Sequence, residues 1–157
     1  MMRVAIAAVQ GLGGLLLLWL IGRELGADGD SRLLPLYLLF LLVAIVGLVG
    51  ALLLALDLRL GWQLSTAVQA LQVPQWASAL IGYKLELGVS VVAAVEMSAN
   101  RLALSFDWLL PASAFRLYFG SSTTTVVCGV NLIALWFTVW LLRGYRQRFQ
   151  SAAPARR

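Results

Sequence analysis

Six ionisable side chains, Lys84, Glu86, Glu96, Arg101, Asp107 and Arg116, stand in the middle of a chain whose flanks are almost wholly apolar. Within a membrane span, Glu86 and Glu96 would suit a proton or cation relay, because a carboxylate at that depth is costly unless it works. On the outer face of strands the same two groups would simply be solvated, and the alternating pattern around them favours that reading. Uncharged polar groups extend the set. Gln69 and Gln72 lie in a polar stretch that ends at Pro74, and Asn131 lies inside the last apolar run. Gln69, Gln72, Glu86, Glu96 and Asn131 are therefore the candidates for a polar path or for partner contacts. Asn131 also shares a seven-residue spacing with Thr124 and Thr138. Its plain role is a hydrogen bond to a neighbouring helix, worth about 0.6 kcal/mol.

Other chemistries are excluded by what the chain lacks. It has no histidine, which removes imidazole acid–base catalysis, Ser-His nucleophiles and the usual zinc sites. Cys128 is the single cysteine, so no intramolecular disulfide can form. Asp57 and Asp107 have no Gly-rich context of the kind an aspartic acid–base pair needs. The GLGG at 11–14 is not a phosphate loop, since it lies in an apolar run and no Gly-Lys-Ser/Thr follows. No catalytic residue, metal or cofactor is expected.

Composition sets the class. Hydrophobic residues make up 61% of the 157 and charged residues 12%, against roughly half and a quarter in soluble domains. An integral membrane protein with a single membrane domain follows. The net charge of +5 sits in the tail, where Arg143, Arg146, Arg148, Arg156 and Arg157 have no acidic neighbour. Such a juxtamembrane cluster places the C-terminus in the cytoplasm. Its Arg143, Arg146 and Arg148 would attract anionic lipid, and no nucleic acid is implied.

The expected fold is a mainly α-helical polytopic membrane protein. Spans are expected at about 4–22, 34–57 and 121–142, with a possible fourth at 62–83 or 85–99. The first run is longer than a signal-peptide core and lacks an A-x-A site, which favours an uncleaved span. Gly47, Ala51 and Ala55, at four-residue spacing, make a helix-packing stripe. Residues 62–73 read as an amphipathic helix in the membrane interface. One side carries Ser65, Thr66, Gln69 and Gln72, and the other Leu64, Val68 and Leu71. Period-two alternation over 83–120 predicts short strands, with a break at Ala93–Ala94. The functional expectation is a non-catalytic accessory, assembly or interaction subunit of the cell (inner) membrane. Its partners would be the bilayer and other membrane subunits or a second copy. The alternative is a subunit of an oligomeric transporter or channel that uses Glu86, Glu96 and Asn131.

Overall fold

The computed structural model describes residues 1–26, 33–99, 101–119 and 125–150. Most of the 23–32 loop, Thr124 of the polar seam and the tail with Arg156 and Arg157 lie outside these residues. The chain order is α1 (Met2–Gly26), α2 (Leu34–Ala55), α3 (Arg59–Gln72), β1 (Pro74–Ala77), β2 (Ile81–Ser98), β3 (Arg101–Phe119), β4 (Val126–Asn131) and α4 (Leu132–Tyr145). A wide π-type turn, Arg146–Gln150, follows α4.

The fold is mixed α/β, which corrects the expected helical polytopic bundle. A four-stranded antiparallel sheet in the order β1-β4-β2-β3 occupies most of the second half. Among the described residues, only α1 and α2 are long and apolar enough to cross a membrane. The expected span at 121–142 fails for a local reason. Its described part is a strand, Val126–Asn131, followed by a helix of 14 residues, Leu132–Tyr145. Asn131 makes the break: its side-chain oxygen accepts from the Ala134 N–H at 3.2 Å and caps α4. Neither candidate for a fourth span is helical throughout. The 62–83 stretch leaves α3 at Pro74 and enters the sheet, and 85–99 lies in β2 up to Ser98.

The stretch expected as an interfacial helix over 62–73 is helical as far as Gln72, but its polar side is not turned to water. Ser65, Gln69 and Gln72 are buried, together with Val68 of the expected apolar side, whereas Leu71 of that side is about half exposed. Trp62, expected at an interface, is also buried and stacks on Trp140 at 5.5 Å between ring centroids. The polar face turns inward because partners wait for it there, in α1 and α2.

At about 1.5 Å per residue, α3 and α4 reach only some 21 Å, a little over half the length of α1. They cover one end of the α1–α2 hairpin, where Ile6, Ala7, Leu54, Trp62, Phe137 and Leu141 form a helical core. The sheet covers the rest. There Leu85 and Leu87 of β2 pack with Leu17, Ile21, Tyr37, Phe40, Ala44 and Val68.

The strands form one long hairpin, without the expected break at Ala93–Ala94. β2 and β3 pair from Ile81↔Phe119 to Ser98↔Arg101. The irregularity comes instead between Gly88 and Ser90, where β3 spends one extra residue, in the Leu110–Pro111 pair. Proline has no N–H to give a ladder and is tolerated at such a bulge. The extra residue corrects a phase. Before it, Leu117 and Phe115 oppose Tyr83 and Leu85; after it, Trp108, Phe106 and Leu104 oppose Val91, Ala93 and Val95. The apolar positions of β3 change from odd to even numbers, and the bulge keeps their register opposite odd-numbered β2 residues.

β1 pairs antiparallel with both β2 and β4, and β4 pairs antiparallel with β2. Three straight strands cannot all be mutually antiparallel. β2 must therefore turn between Tyr83, which meets β1, and Val92, which meets β4. Gly88, at φ +94°, sits within that bend beside the bulge. Here too α1 touches the sheet most closely. A methyl group on Gly13 would overlap the backbone of Leu87 and Gly88, and one on Gly88 would meet the Val9 carbonyl. Backbone lies on backbone at this point.

Candidate functional site

A line of buried polar side chains runs from the helices into the sheet. In the helical layer, Gln10 of α1 donates to the Gly47 carbonyl of α2 at 2.8 Å and to the Ser65 hydroxyl of α3 at 3.3 Å. Gln69 donates in turn to the Gln10 carbonyl oxygen at 3.2 Å. One turn on, Gln72 accepts from the Leu87 N–H at 2.8 Å, which ties α3 to β2. In the sheet, Glu86 is fully buried and accepts from Ser90 at 2.7 Å and from Gln75 at 3.2 Å through one oxygen. The Lys84 ammonium lies 3.3 Å from its other oxygen, which accepts no hydrogen bond. That contact is a charge pair whose angle does not suit a hydrogen bond.

The polar face of the sheet lines an open cup of about 390 Å³. Lys84, Glu96, Asp107 and Arg116 contribute charge to it, and Gln75, Trp76 and Tyr83 contribute hydrogen-bonding and aromatic surface. Lys84 bridges weakly to Asp107 at 3.9 Å. Burial raises the pKa of Tyr83, whose hydroxyl donates to the Leu71 carbonyl at 2.7 Å.

The structure distributes the predicted residues unevenly. It places Gln69 with Gln10, Gln72 against β2, and Glu86 behind the cup. Glu96 is half-buried in the cup wall, five side-chain places along the same face from Glu86. Asn131 caps α4, and its amide nitrogen is buried without a hydrogen-bond partner. No described hydrogen bond or ion pair joins Glu86, Glu96 and Asn131 to one another. Gly47 and Ala51 are buried in the helix contacts, while Ala55 is exposed. Arg143, Arg146 and Arg148 all lie at the end of the bundle where α1 begins and α4 finishes, with exposed side chains.

Two participants, Gln10 and Ser90, escaped sequence reasoning, and Asp57, which marks the exit of the second apolar run, gave no sign there of its partners. Gln10 had a signal, since it is the one strongly polar side chain in the Val4–Ile21 run. Asp57 occupies the left-handed position, φ 61°, of the turn that ends α2. The Leu58 N–H returns to the Leu53 carbonyl and the Asp57 N–H to that of Leu54, the pattern in which glycine is the usual residue. Its carboxylate explains the exception. It accepts from the Trp62 indole at 2.9 Å and pairs with Arg3 and Arg148. Burial alone would raise its pKa, but the hydrogen bonds from Arg3 and Trp62 and the charges of Arg3 and Arg148 outweigh it and hold the carboxyl below its ordinary value.

The opposite face of the distal hairpin is apolar and uncovered. Leu102, Leu104, Phe106 and Trp108 are each 73–75% exposed. Across the sheet the same face carries Val91, Ala93, Val95 and Met97 of β2 and Val126, Cys128 and Val130 of β4. No group of histidine, cysteine or acidic side chains able to hold a metal occurs among the described residues. No known protein family, curated protein or solved structure matches the chain.

Proposed function

We propose that the chain is a membrane-anchored, non-catalytic interaction subunit that docks a partner on the apolar face of its β2–β3 hairpin. One observation carries this reading: four large side chains in a row on β3, about three-quarters exposed, with no charge on their face. An uncovered apolar area of this kind marks a protein or membrane contact. The α1–α2 hairpin is the anchor, in keeping with its length and apolar surface. The polar-path alternative has less support, because Glu86 is engaged by Ser90, Gln75 and Lys84 and is not connected to Glu96 or Asn131.

Recovery from membranes in mild detergent tests the reading. Wild-type chain brings down a stoichiometric partner. The Leu104→Asp/Phe106→Asp variant loses it while keeping its thermal unfolding midpoint, since both side chains point away from the core. Undiminished recovery by the variant would sink the proposal.

Arg3, Arg59, Arg143, Arg146 and Arg148 gather at one end of the molecule, as the contacts of Arg3 and Arg148 with Asp57 and of Arg59 with Tyr145 indicate. By the positive-inside tendency this end faces the cytoplasm of an inner membrane, with both described termini on that side. In a Cys128→Ser background, a cysteine at Arg23 labels from outside intact cells, and one at Arg59 labels only after permeabilisation. The reverse pattern would overturn this orientation.

A further inference from the structure

We propose that the free edge of the β2–β3 hairpin is taken by a second copy of this chain, joined through β3 with its two-fold axis at Leu104; this rests on the interaction reading above. β3 is the last strand of the sheet, so among the described residues one side of its backbone has no partner strand. The hairpin closes on the Ser98↔Arg101 pair across a two-residue connection. In that geometry Arg101, Ala103, Ser105 and Asp107 direct their N–H and C=O groups to β2. Leu102, Leu104, Phe106 and Trp108 direct theirs to the free edge. The residues with unmet backbone groups are thus the residues with exposed apolar side chains. Backbone groups left unpaired next to an apolar surface and a bilayer are costly, and a further strand removes the cost.

Charge selects both the partner and the register. Arg101 makes none of the described ion pairs, and Asp107 is 62% exposed with only the long contact to Lys84. Antiparallel pairing of two β3 strands about Leu104 puts Arg101 of each copy opposite Asp107 of the other, twice. It also sets Leu102 against Phe106 and Leu104 against itself, which continues the apolar face across both copies. Centring the pair on Ala103, Ser105 or Phe106 aligns no opposite charges. These are non-hydrogen-bonded cross-strand positions, where side chains approach most closely.

Disulfide trapping in full-length chain tests this, in liposomes and in a Cys128→Ser background. Leu104→Cys should cross-link to itself on mild oxidation, since the paired Cα atoms would lie about 5.5 Å apart, within disulfide reach. Leu102→Cys and Phe106→Cys should each cross-link poorly alone and well when mixed. Arg101→Asp should lower the Leu104→Cys dimer yield about tenfold, and adding Asp107→Arg should restore it. All these side chains are exposed, and an unchanged unfolding midpoint confirms that each variant folds. Absence of cross-linking at all three positions, or a yield indifferent to the charge swap, would overturn the proposal. If the chain then still captures a different protein, lost on Leu104→Asp/Phe106→Asp, the interaction reading stands and only the second copy is refuted.

Discussion

Replacing Gly88 with alanine is expected to lower the thermal unfolding midpoint in mild detergent by about 5–15 °C. Two costs coincide there. The residue sits at φ +94°, a conformation that L side chains resist, and an added methyl would push into the Val9 carbonyl of α1. The clash involves backbone on both sides, so no rotamer change relieves it. Gly13→Ala should also destabilise, because its methyl overlaps the backbone of Leu87 and Gly88 and the helix preference of alanine offsets only part of that. A midpoint within a degree or two of wild type for Gly88→Ala would mean that α1 does not lie on β2 as described.

The second large effect is expected at Glu86. Truncation to alanine leaves Ser90 and Gln75 without their buried acceptor and removes the nearer counter-charge of Lys84. Breaking a buried pair costs several kcal/mol, reduced here because Lys84 is partly in solvent, which leaves about 2–3 kcal/mol. Glu86→Gln should cost about half as much, since an amide oxygen still accepts from Ser90. Glu96→Gln, in the half-buried cup wall, should fall within about 0.5 kcal/mol of wild type. Denaturant or thermal unfolding of the three variants separates these values. Equal stability of Glu86→Ala and Glu96→Gln would refute the structural role given to Glu86.

How much of this could be read from residues alone depended on whether the signal was local. α1 and α2 announce themselves as unbroken apolar runs, and the alternation of Leu85, Leu87, Val91 and Val95 marks β2. An apolar run does not say which secondary structure it takes. Residues 126–142 satisfy the length of a span, yet the Val126–Val127 pair favours a strand and Asn131 is a good helix cap. The length of the run masks both hints. The facing of α3 was not legible, because it depends on Gln10, some 59 positions from Gln69. The bulge was likewise hidden. Its trace is the shift of β3's apolar residues from odd to even numbers, which gains meaning only once β2 is known to be the partner. Of the site itself, Glu86, Gln69 and Gln72 were visible as polar residues in apolar surroundings, but their partners were not.

The placement of Gln10 bears on the order in which the chain is assembled as it leaves the ribosome. One of its two amide N–H groups meets Gly47, which belongs to α2, so the first two helices can pair with that N–H already satisfied. Its other N–H and its carbonyl oxygen must wait for Ser65 and Gln69, made some twenty residues later. During that interval the new hairpin carries one unmet donor and one unmet acceptor in the first half of α1. The same unmet groups give α3 its docking position, and an inward-facing row of polar side chains is then recruited from water. Translation would thus build the apolar hairpin first and use one half-satisfied side-chain amide to call in the next helix, with the sheet closing over both only after β4 has been synthesised.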